Sequence, residues 1–482
     1  MNYKTVFRAI GKILRLEAAF LLLPLVVSII YKEEHLYLAF IIPLLLAFIL
    51  GTILTTVIKE KAKIYAIDGF AIVSLSWIMI SLFGSLPFII SGEIPNFINA
   101  FFETVSGFTT TGASILDNVE SLSKGLLFWR SFTNWIGGMG ILVFVLAFLP
   151  TTNLKSINIL KAETTGPQIE KIVPSTRLST RILYSIYIFL TILLMILLLF
   201  GGMDIFDSVT LGFSTAGTGG FSINNESVAA YNNVYFEIVI TIFMFLFGIN
   251  FNIFYLILIR QGKLTFKNQE IKWYLGIIII AIIIITFNTL TIYNNLATAL
   301  RHSSFQVMSM ISSSGFTTTN YNLWPSLSKW VLILLMISGG CAGSTSGGVK
   351  VSRISILAKS IYNDTKRLLH PQRVSTVKFE GRAVEKDTIN GIYTFIALYF
   401  SIILIGTLIL SIFDNFDLLS NLTAIISALG NTGPGLNIIG PMNSFNTYSS
   451  FSKIFLTLIM LAGRLELIPI LMLFSPVMWK RI

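Results

Sequence analysis

The chain is organised as a succession of long apolar segments separated by shorter polar loops. A bilayer core of about 30 Å is crossed by roughly 20 apolar residues in a helix, so each segment predicts a membrane span. Ten such spans would leave both chain termini on the same side of the membrane. The segments lie near residues 17–31, 36–58, 69–91, 126–149, 182–201, 234–259, 273–293, 329–341 and beyond, 389–413 and 452–474.

The composition excludes a soluble enzyme. Hydrophobic residues make up 54% of the 482 residues and charged residues only 12%, against roughly 25% charged in soluble domains. So much apolar surface cannot be buried inside one globule. The single cysteine, Cys341, excludes a disulfide framework, and the three histidines are too far apart to hold a metal together. The sequence has no HExxH or GxSxG motif and no paired intramembrane acids, so we expect no enzymatic activity.

The basic residues are distributed very unequally between the two sides of the predicted membrane. Basic loops remain in the cytoplasm, so both termini are expected to be cytoplasmic. The net charge of +11 is then a topology signal and not a nucleic-acid-binding surface. The opposite loops include acidic stretches, and an acidic outer face would concentrate cations. Of the 34 Lys and Arg residues, Arg464 lies within a span and only six lie on the outer side, namely Lys32, Lys124, Arg130, Arg301, Lys329 and Lys453.

Four polar, glycine-rich segments recur at matching positions, each between two predicted spans. Each begins with a short amphipathic run and continues into Ser, Thr and Gly residues that are too polar and flexible to cross a bilayer. One such segment is more often a kinked helix, whereas four at matched positions indicate a repeated unit. They cover residues 101–114, 212–222, 309–319 and 427–436, and equating Gly112, Gly220, Gly315 and Gly433 spaces them 108, 95 and 118 residues apart.

Non-helical backbone at membrane depth is stable only where protein buries it or water lines it. Four copies meet this condition by surrounding a pseudo-fourfold axis, with short helices near 97–107, 204–214, 297–312 and 416–428 directing their negative ends inward. Rings of carbonyl oxygens can then replace the hydration shell of a monovalent cation. Gly217 and Gly435 remain alternatives to Gly220 and Gly433. The candidate cation-binding residues are Thr110, Thr111, Gly112, Thr218, Gly219, Gly220, Ser313, Ser314, Gly315, Asn431, Thr432 and Gly433.

The expected fold class is an all-α polytopic membrane protein with ten spans. Two N-terminal helices precede four helix–pore loop–helix repeats around a pseudo-fourfold pore. The basic N-terminus and following apolar run resemble a secretory signal, but no small-residue cleavage site follows, so we expect an uncleaved span. The expected boundaries are 1–66 for the N-terminal helices and 67–165, 166–270, 271–387 and 388–482 for the repeats.

The span after the third segment is interrupted by a glycine-rich loop at residues 339–348. Small residues of this kind allow helices to pack closely. The alternative is a flexible flap across the inner mouth of the pore, moved by a partner that docks on the basic segment 350–387. That segment is otherwise a plain cytoplasmic loop. The candidate gate residues in the glycine-rich loop are Gly339, Gly340, Gly343, Ser344, Thr345, Ser346, Gly347 and Gly348.

Arg464 is a further candidate gate residue, because it lies within the last predicted span. A bare cation there costs upwards of about 3 kcal/mol. Arg464 either forms a structural pair, with helix-end carbonyls or an acidic group, or places a positive charge below the filter that blocks leak. Glu466, two positions further on, would point the opposite way on a helix and is a poor partner for it.

These segments resemble the TrkH/KtrB superfamily of microbial potassium uptake proteins over nearly the whole chain. The four filter segments carry the resemblance. Supporting motifs are the sequence Leu-Lys-Ala-Glu-Thr-Thr-Gly-Pro at 160–167, the glycine-rich loop, and Gly463-Arg464-Leu465-Glu466. Two additional N-terminal spans resemble the TrkH branch rather than the shorter KtrB branch.

The resemblance implies potassium uptake, with potassium bound in the filter, and it supports the gating interpretation of Arg464. Gly112 in the first filter position favours potassium over sodium, and Ser312, Ser313 and Ser314 depart mildly from the more usual Thr. The resemblance also implies a homodimer with one pore per subunit. A cytosolic TrkA-like regulator would bind the nucleotide, so no cofactor other than potassium is expected on this chain.

The main alternative function is a secondary transporter with broken helices that carries a small organic solute. That design predicts two related discontinuous spans, not four re-entrant segments, and usually a charged residue at the membrane midplane. Arg464 is the one obvious candidate for such a residue. Coupling of transport to protons or sodium leaves no recognisable pattern in this sequence.

Overall fold

The computed structural model describes residues 2–58, 66–140, 176–260, 268–370 and 376–479, and the structural statements below refer to these residues. The motif at 160–167 and the end of the predicted span 126–149 lie outside the described residues.

The regular secondary structure of the described chain is helical apart from one short antiparallel hairpin, in which β1 (Lys378–Phe379) pairs with β2 (Arg382–Ala383). The helices are α1 (Tyr3–Phe20), α2 (Leu22–Ile30), α3 (His35–Val57), α4 (Ala66–Ile90), α5 (Phe97–Phe108), α6 (Lys124–Gly138), α7 (Thr176–Phe200), α8 (Ile205–Gly217), α9 (Val234–Gly248), α10 (Phe251–Leu258), α11 (Gln269–Tyr293), α12 (Leu296–Ile311), α13 (Ser326–Ser338), α14 (Val351–Leu369), α15 (Lys386–Phe413), α16 (Leu418–Gly430), α17 (Ser450–Arg464), α18 (Ile468–Leu473) and α19 (Pro476–Trp479).

The N-terminal helices form a unit that packs on the first repeat. The first span starts earlier than the predicted residue 17, because the Asn2 side chain accepts a hydrogen bond from the Thr5 amide and begins the helix there. α1 and α3 approach closely where Gly11 meets Gly51, since a side chain on either glycine would collide with the opposite backbone.

Six of the described helices are long and apolar enough to cross a membrane, and a bent helix pair makes a possible seventh span. The ten-span count therefore remains a prediction. The six are Tyr3–Ile30 (α1 and α2 together), His35–Val57, Ile67–Ile90, Thr180–Phe200, Gln269–Tyr293 and Lys386–Phe413.

The remainder of the chain repeats one arrangement four times: a long helix, a short helix, an irregular segment and a second helix. Each short helix follows an Asn or Asp residue. Such residues favour the position before a helix because their side chains accept hydrogen bonds from free backbone amides. The arrangement comprises α4–α6, α7–α9, α11–α13 and α15–α17, and the residues before the short helices are Asn96, Asp204, Asn295 and Asp417.

The second helix of every repeat ends after 13 to 15 residues, at Gly138, Gly248, Ser338 or Arg464. The sequence predicted an interruption only in the third repeat. The prediction of continuous helices at 234–259 and 452–474 was therefore wrong. In the second repeat the chain bends by 92°, because Ile249 is extended and Asn250 caps a new helix.

The fourth repeat breaks for a related reason. Glu466 and Leu467 both have positive φ, at 57° and 67°, a backbone conformation that an α-helix cannot contain. A new short helix, α18, begins directly after them with Pro469 in its first turn.

Candidate functional site

The four irregular segments share one backbone conformation. In each, a residue with positive φ follows the short helix, and a glycine with positive φ lies two positions further on. Gly220 and Gly433 therefore occupy the same backbone position as Gly112 and Gly315. The alternatives Gly217 and Gly435 do not. The φ pairs are 55° and 77° for Thr110 and Gly112, 54° and 70° for Thr218 and Gly220, 57° and 72° for Ser313 and Gly315, and 51° and 98° for Asn431 and Gly433.

A serine six positions before each glycine anchors the turn. Its carbonyl oxygen accepts a hydrogen bond from the amide of the residue just before the glycine. This role was not predicted from the sequence, although the serine recurs at the same distance from the glycine in all four segments. The bonds run from Thr111 to Ser106 (2.8 Å), Gly219 to Ser214 (2.9 Å), Ser314 to Ser309 (2.9 Å) and Thr432 to Ser427 (3.0 Å).

Each of the four glycines packs against the next of the four segments, and the last packs against the first. Each faces the carbonyl oxygen of the residue that precedes the next glycine, so closely that a methyl group on the glycine would collide with that oxygen. Because the fourth segment faces the first in the same way, the contacts close into a ring, here called the glycine ring. The facing pairs are Gly112 with Gly219, Gly220 with Ser314, Gly315 with Thr432, and Gly433 with Thr111.

A cavity of about 490 Å³ adjoins the glycine ring and is lined in part by all four glycines. Its other walls come from the loops that follow the glycines and include Asp117, Asn224 and Ser444. We call this cavity the vestibule. Its polar lining suits a hydrated ion approaching the ring.

A buried ion pair links the first two segments. The Nε of Arg130 lies 2.7 Å from Oε1 of Glu103, and the two side chains are 3% and 0% exposed. Glu103 accepts a hydrogen bond from the Ile115 amide, directly after the first segment. Arg130 donates to the Ser222 carbonyl and lies over the Phe221 ring in the second segment. The pair therefore joins two neighbouring parts of the ring.

The glycine-rich loop (residues 339–348) lies on the opposite side of the glycine ring from the vestibule. The Gly347 amide donates a 2.7 Å hydrogen bond to Oγ of Ser313, and Gly347 packs against the backbone at Gly430. These contacts are with residues that precede the ring glycines, whereas the vestibule is lined by the glycines and the residues after them.

This loop is held by hydrogen bonds along its length. The Cys341 amide donates to the Gly248 carbonyl at 3.0 Å, and the Phe251 amide donates to the Gly343 carbonyl at 3.1 Å, so the break between α9 and α10 holds the loop on one side. The Ala342 amide donates to Oε1 of Glu270 at 2.7 Å. Movement of the loop as a flap would have to break these bonds.

Arg464 joins three parts of the chain at the end of α17. Its guanidinium donates to the carbonyl oxygen of Thr345 at 2.9 Å, to that of Gly138 at 2.8 Å, and to that of Gly137. Gly137 and Gly138 end α6, so these are the helix-end carbonyls of the structural interpretation. Since Thr345 belongs to the glycine-rich loop, the same contacts also fit a role in holding that loop.

Glu466 pairs with Arg353 and not with Arg464. The Nη2 of Arg353 lies 2.6 Å from Oε2 of Glu466, and its guanidinium lies 4.0 Å from the Phe395 ring centre. The expected separation of Glu466 from Arg464 thus holds, but for another reason: the helix has already ended at Arg464. Among the described residues, no group of three or more His, Cys, Asp or Glu side chains is placed to hold a metal ion.

The fold and the ring of irregular backbone define a polytopic α-helical membrane protein of the transport class. A family model described as "TrkH: Cation transport protein" matches residues 38–481. The chain is 33% identical over 489 residues to the Trk system potassium uptake protein TrkH of Salmonella typhimurium, with complete coverage of both chains. It is 32% identical over 483 residues to TrkG of Escherichia coli K12, covering 99% of each.

The structure is also similar to the crystal structure of the potassium transporter TrkH from Vibrio parahaemolyticus, with a TM-score of 0.89, 30% identity and complete coverage of both chains. The chain belongs to the TrkH family of cation transport proteins. The predicted family and all-α polytopic fold are confirmed, and the expectation of a non-enzyme is confirmed because the family is one of transport proteins. The repeat boundaries and the roles of the filter and gate residues remain predictions.

Proposed function

We propose that this protein takes up potassium through a pore whose selectivity filter is the glycine ring. The closure of four backbone segments into one ring beside a polar vestibule carries this proposal. The potassium-binding residues would be the twelve named from the sequence, three in each segment. The names of the relatives, Trk system potassium uptake protein, support potassium as the ion.

Two physical effects would make such a ring favourable for a cation. Backbone carbonyl oxygens can replace the hydration shell that potassium loses on entry. The short helices α5, α8, α12 and α16 end directly at the ring, and helix C-termini carry partial negative charge. Four equivalent segments that close into one ring, rather than two related discontinuous spans, disfavour the secondary transporter of organic solutes.

We propose that the glycine-rich loop and Arg464 together form the gate. The loop would block the pore while Arg464 holds Thr345, and conduction would require the loop to move. Positive charge at this level would also repel cations that leak past the ring.

The distribution of basic residues and the family resemblance support a proposal for the orientation and the partners. We propose a homodimer in a bacterial inner membrane with both termini in the cytoplasm, in line with the distribution of basic residues. A cytosolic TrkA-like protein would carry the nucleotide and act on the segment 350–387. The phrase "Trk system" in the relatives' names implies that their transport involves further components.

Rubidium flux into liposomes that contain the purified protein tests the ion selectivity. We expect unlabelled potassium to compete strongly, sodium weakly, and amino acids or other organic solutes not at all. Equal competition by sodium, or uptake of an organic solute, would contradict a potassium filter. Repeating the measurement with an imposed proton gradient distinguishes coupled from passive flux.

A further inference from the structure

We propose that the cytoplasmic hairpin formed by β1 and β2 holds the glycine-rich loop closed through the N-terminus of α11, with Glu380 and Glu270 as positioning residues. This inference rests on the gate assignment above and adds the route by which a cytosolic partner would reach the gate.

The first link joins the hairpin to α11. Glu380 lies in the turn of the hairpin, and its Oε1 accepts hydrogen bonds from the amides of Gln269 (2.8 Å) and Glu270 (3.1 Å). These amides are in the first turn of α11 and have no partner within the helix. A carboxylate is the favoured group there because the helix N-terminus carries partial positive charge.

The second link joins α11 to the loop. Glu270 is 3% exposed, and its Oε1 accepts a 2.7 Å hydrogen bond from the Ala342 amide. Ala342 is adjacent to Cys341 and three residues from Thr345, the loop residue that Arg464 contacts. The carboxylates of Glu380 and Glu270 thus connect the hairpin to the glycine-rich loop through two successive sets of hydrogen bonds.

The hairpin is anchored so that a force on it would be transmitted. Phe379 and Val377 pack in a small apolar cluster with Ile356 of α14 and Ile392 of α15. Lys359 of α14 donates to the Lys378 carbonyl at 3.0 Å and also to Oε1 of Gln269. The hairpin therefore lies between α11, α14 and α15, within the segment proposed to receive the regulator.

The two links have different accessibility, which suits a route from the cytosol to a buried loop. Glu380 is partly exposed, whereas Glu270 and Cys341 are buried. A partner that displaces the hairpin could remove Glu380 from the α11 amides. The N-terminal turn of α11 would then be free to shift, and Glu270 with it.

Cys341 provides a direct test, because it is the single cysteine of the chain and is fully buried beside Ala342. The rate at which a water-soluble maleimide modifies it reports the opening of the loop without any ion flux. The full-length protein would be reconstituted in liposomes, and Glu380→Ala compared with the original protein. Glu385→Ala is the matched control, since Glu385 is exposed, lies in the same segment and makes no side-chain capping bond.

We expect Glu380→Ala to increase the modification rate about tenfold, the effect of losing charge-assisted hydrogen bonds, while Glu385→Ala leaves it unchanged. Glu270→Ala, which removes the acceptor of the Ala342 bond, should increase it at least as much, with size-exclusion profiles showing that each variant is folded. Equal rates in Glu380→Ala and in the original protein would overturn the proposal. Faster modification in both variants without any change in rubidium flux would support the connection but contradict the gate assignment itself.

Discussion

The guanidinium of Arg464 donates a 2.9 Å hydrogen bond to the carbonyl oxygen of Thr345, so the end of the last repeat holds the glycine-rich loop of the third. The same guanidinium binds the carbonyl oxygens that end α6 in the first repeat. One side chain thus connects three of the four repeats just beneath the glycine ring. The sequence left open whether Arg464 pairs with helix-end carbonyls or acts as a gate. The two interpretations are compatible, because the same guanidinium that binds the end of α6 also restrains the loop.

Replacing Arg464 with Ala should raise rubidium flux by at least about tenfold, since the bond to Thr345 that holds the loop involves a charged group and such a bond contributes about 1.5–3 kcal/mol. Arg464→Lys keeps the charge but cannot bind three carbonyls in the same geometry, and an intermediate flux is expected. Flux should be compared at equal amounts of reconstituted protein. Unchanged or lower flux in Arg464→Ala would show that the residue serves only to hold the fold together.

Replacing Gly112 with Ser should reduce the preference for potassium over sodium by about tenfold, a change of about 1.4 kcal/mol. A side chain there would collide with the Gly219 carbonyl and distort the ring. Gly92→Ser is the control, because Gly92 has nearly the same φ, 78° against 77°, but has nothing within 4 Å. Ion competition in the flux assay measures both. Loss of selectivity in the control as well would point to a general effect of backbone strain.

Replacing Arg130 with Met should lower the free energy of unfolding by about 3–5 kcal/mol, because Glu103 would remain as an unpaired buried charge. Arg367→Met, at an exposed arginine of α14, is the comparison, for which a change within about 0.5 kcal/mol is expected. Thermal unfolding in detergent gives both values. If Arg130→Met is as stable as the original protein, the buried pair does not hold the first two segments together.

Deleting residues 343–346 should leave the pore conducting without any regulator, since the loop could no longer reach from Gly347 to the break between α9 and α10. The potassium preference should persist, because the glycine ring does not include these residues. A silent pore would contradict the gate assignment. A leak that has lost its selectivity would mean that the deletion had disturbed Ser313, which contacts Gly347, and with it the ring.

Much of the fold could be predicted from local sequence. The apolar segments, the polar glycine-rich segments between them and the excess of basic residues in alternate loops are properties of short stretches of chain. The start of α1 and the breaks in the second helices were missed for a physical reason. A mostly apolar stretch such as 249–259 is stable in a membrane core whether its helix is continuous or bent. Hydropathy therefore does not distinguish a continuous helix from a bent one.

The sequence by itself determined the class of the molecule, because runs of about 20 apolar residues cross a bilayer as helices that satisfy their own backbone hydrogen bonds. It also identified the four segments, since their composition is unsuited to a span. Only the tertiary structure decided that Gly220 and Gly433 are the ring glycines, that Arg464 meets Thr345, and that Glu270 meets Ala342. These relationships join residues far apart in the chain, and such contacts depend on how the helices pack rather than on the residues next to them.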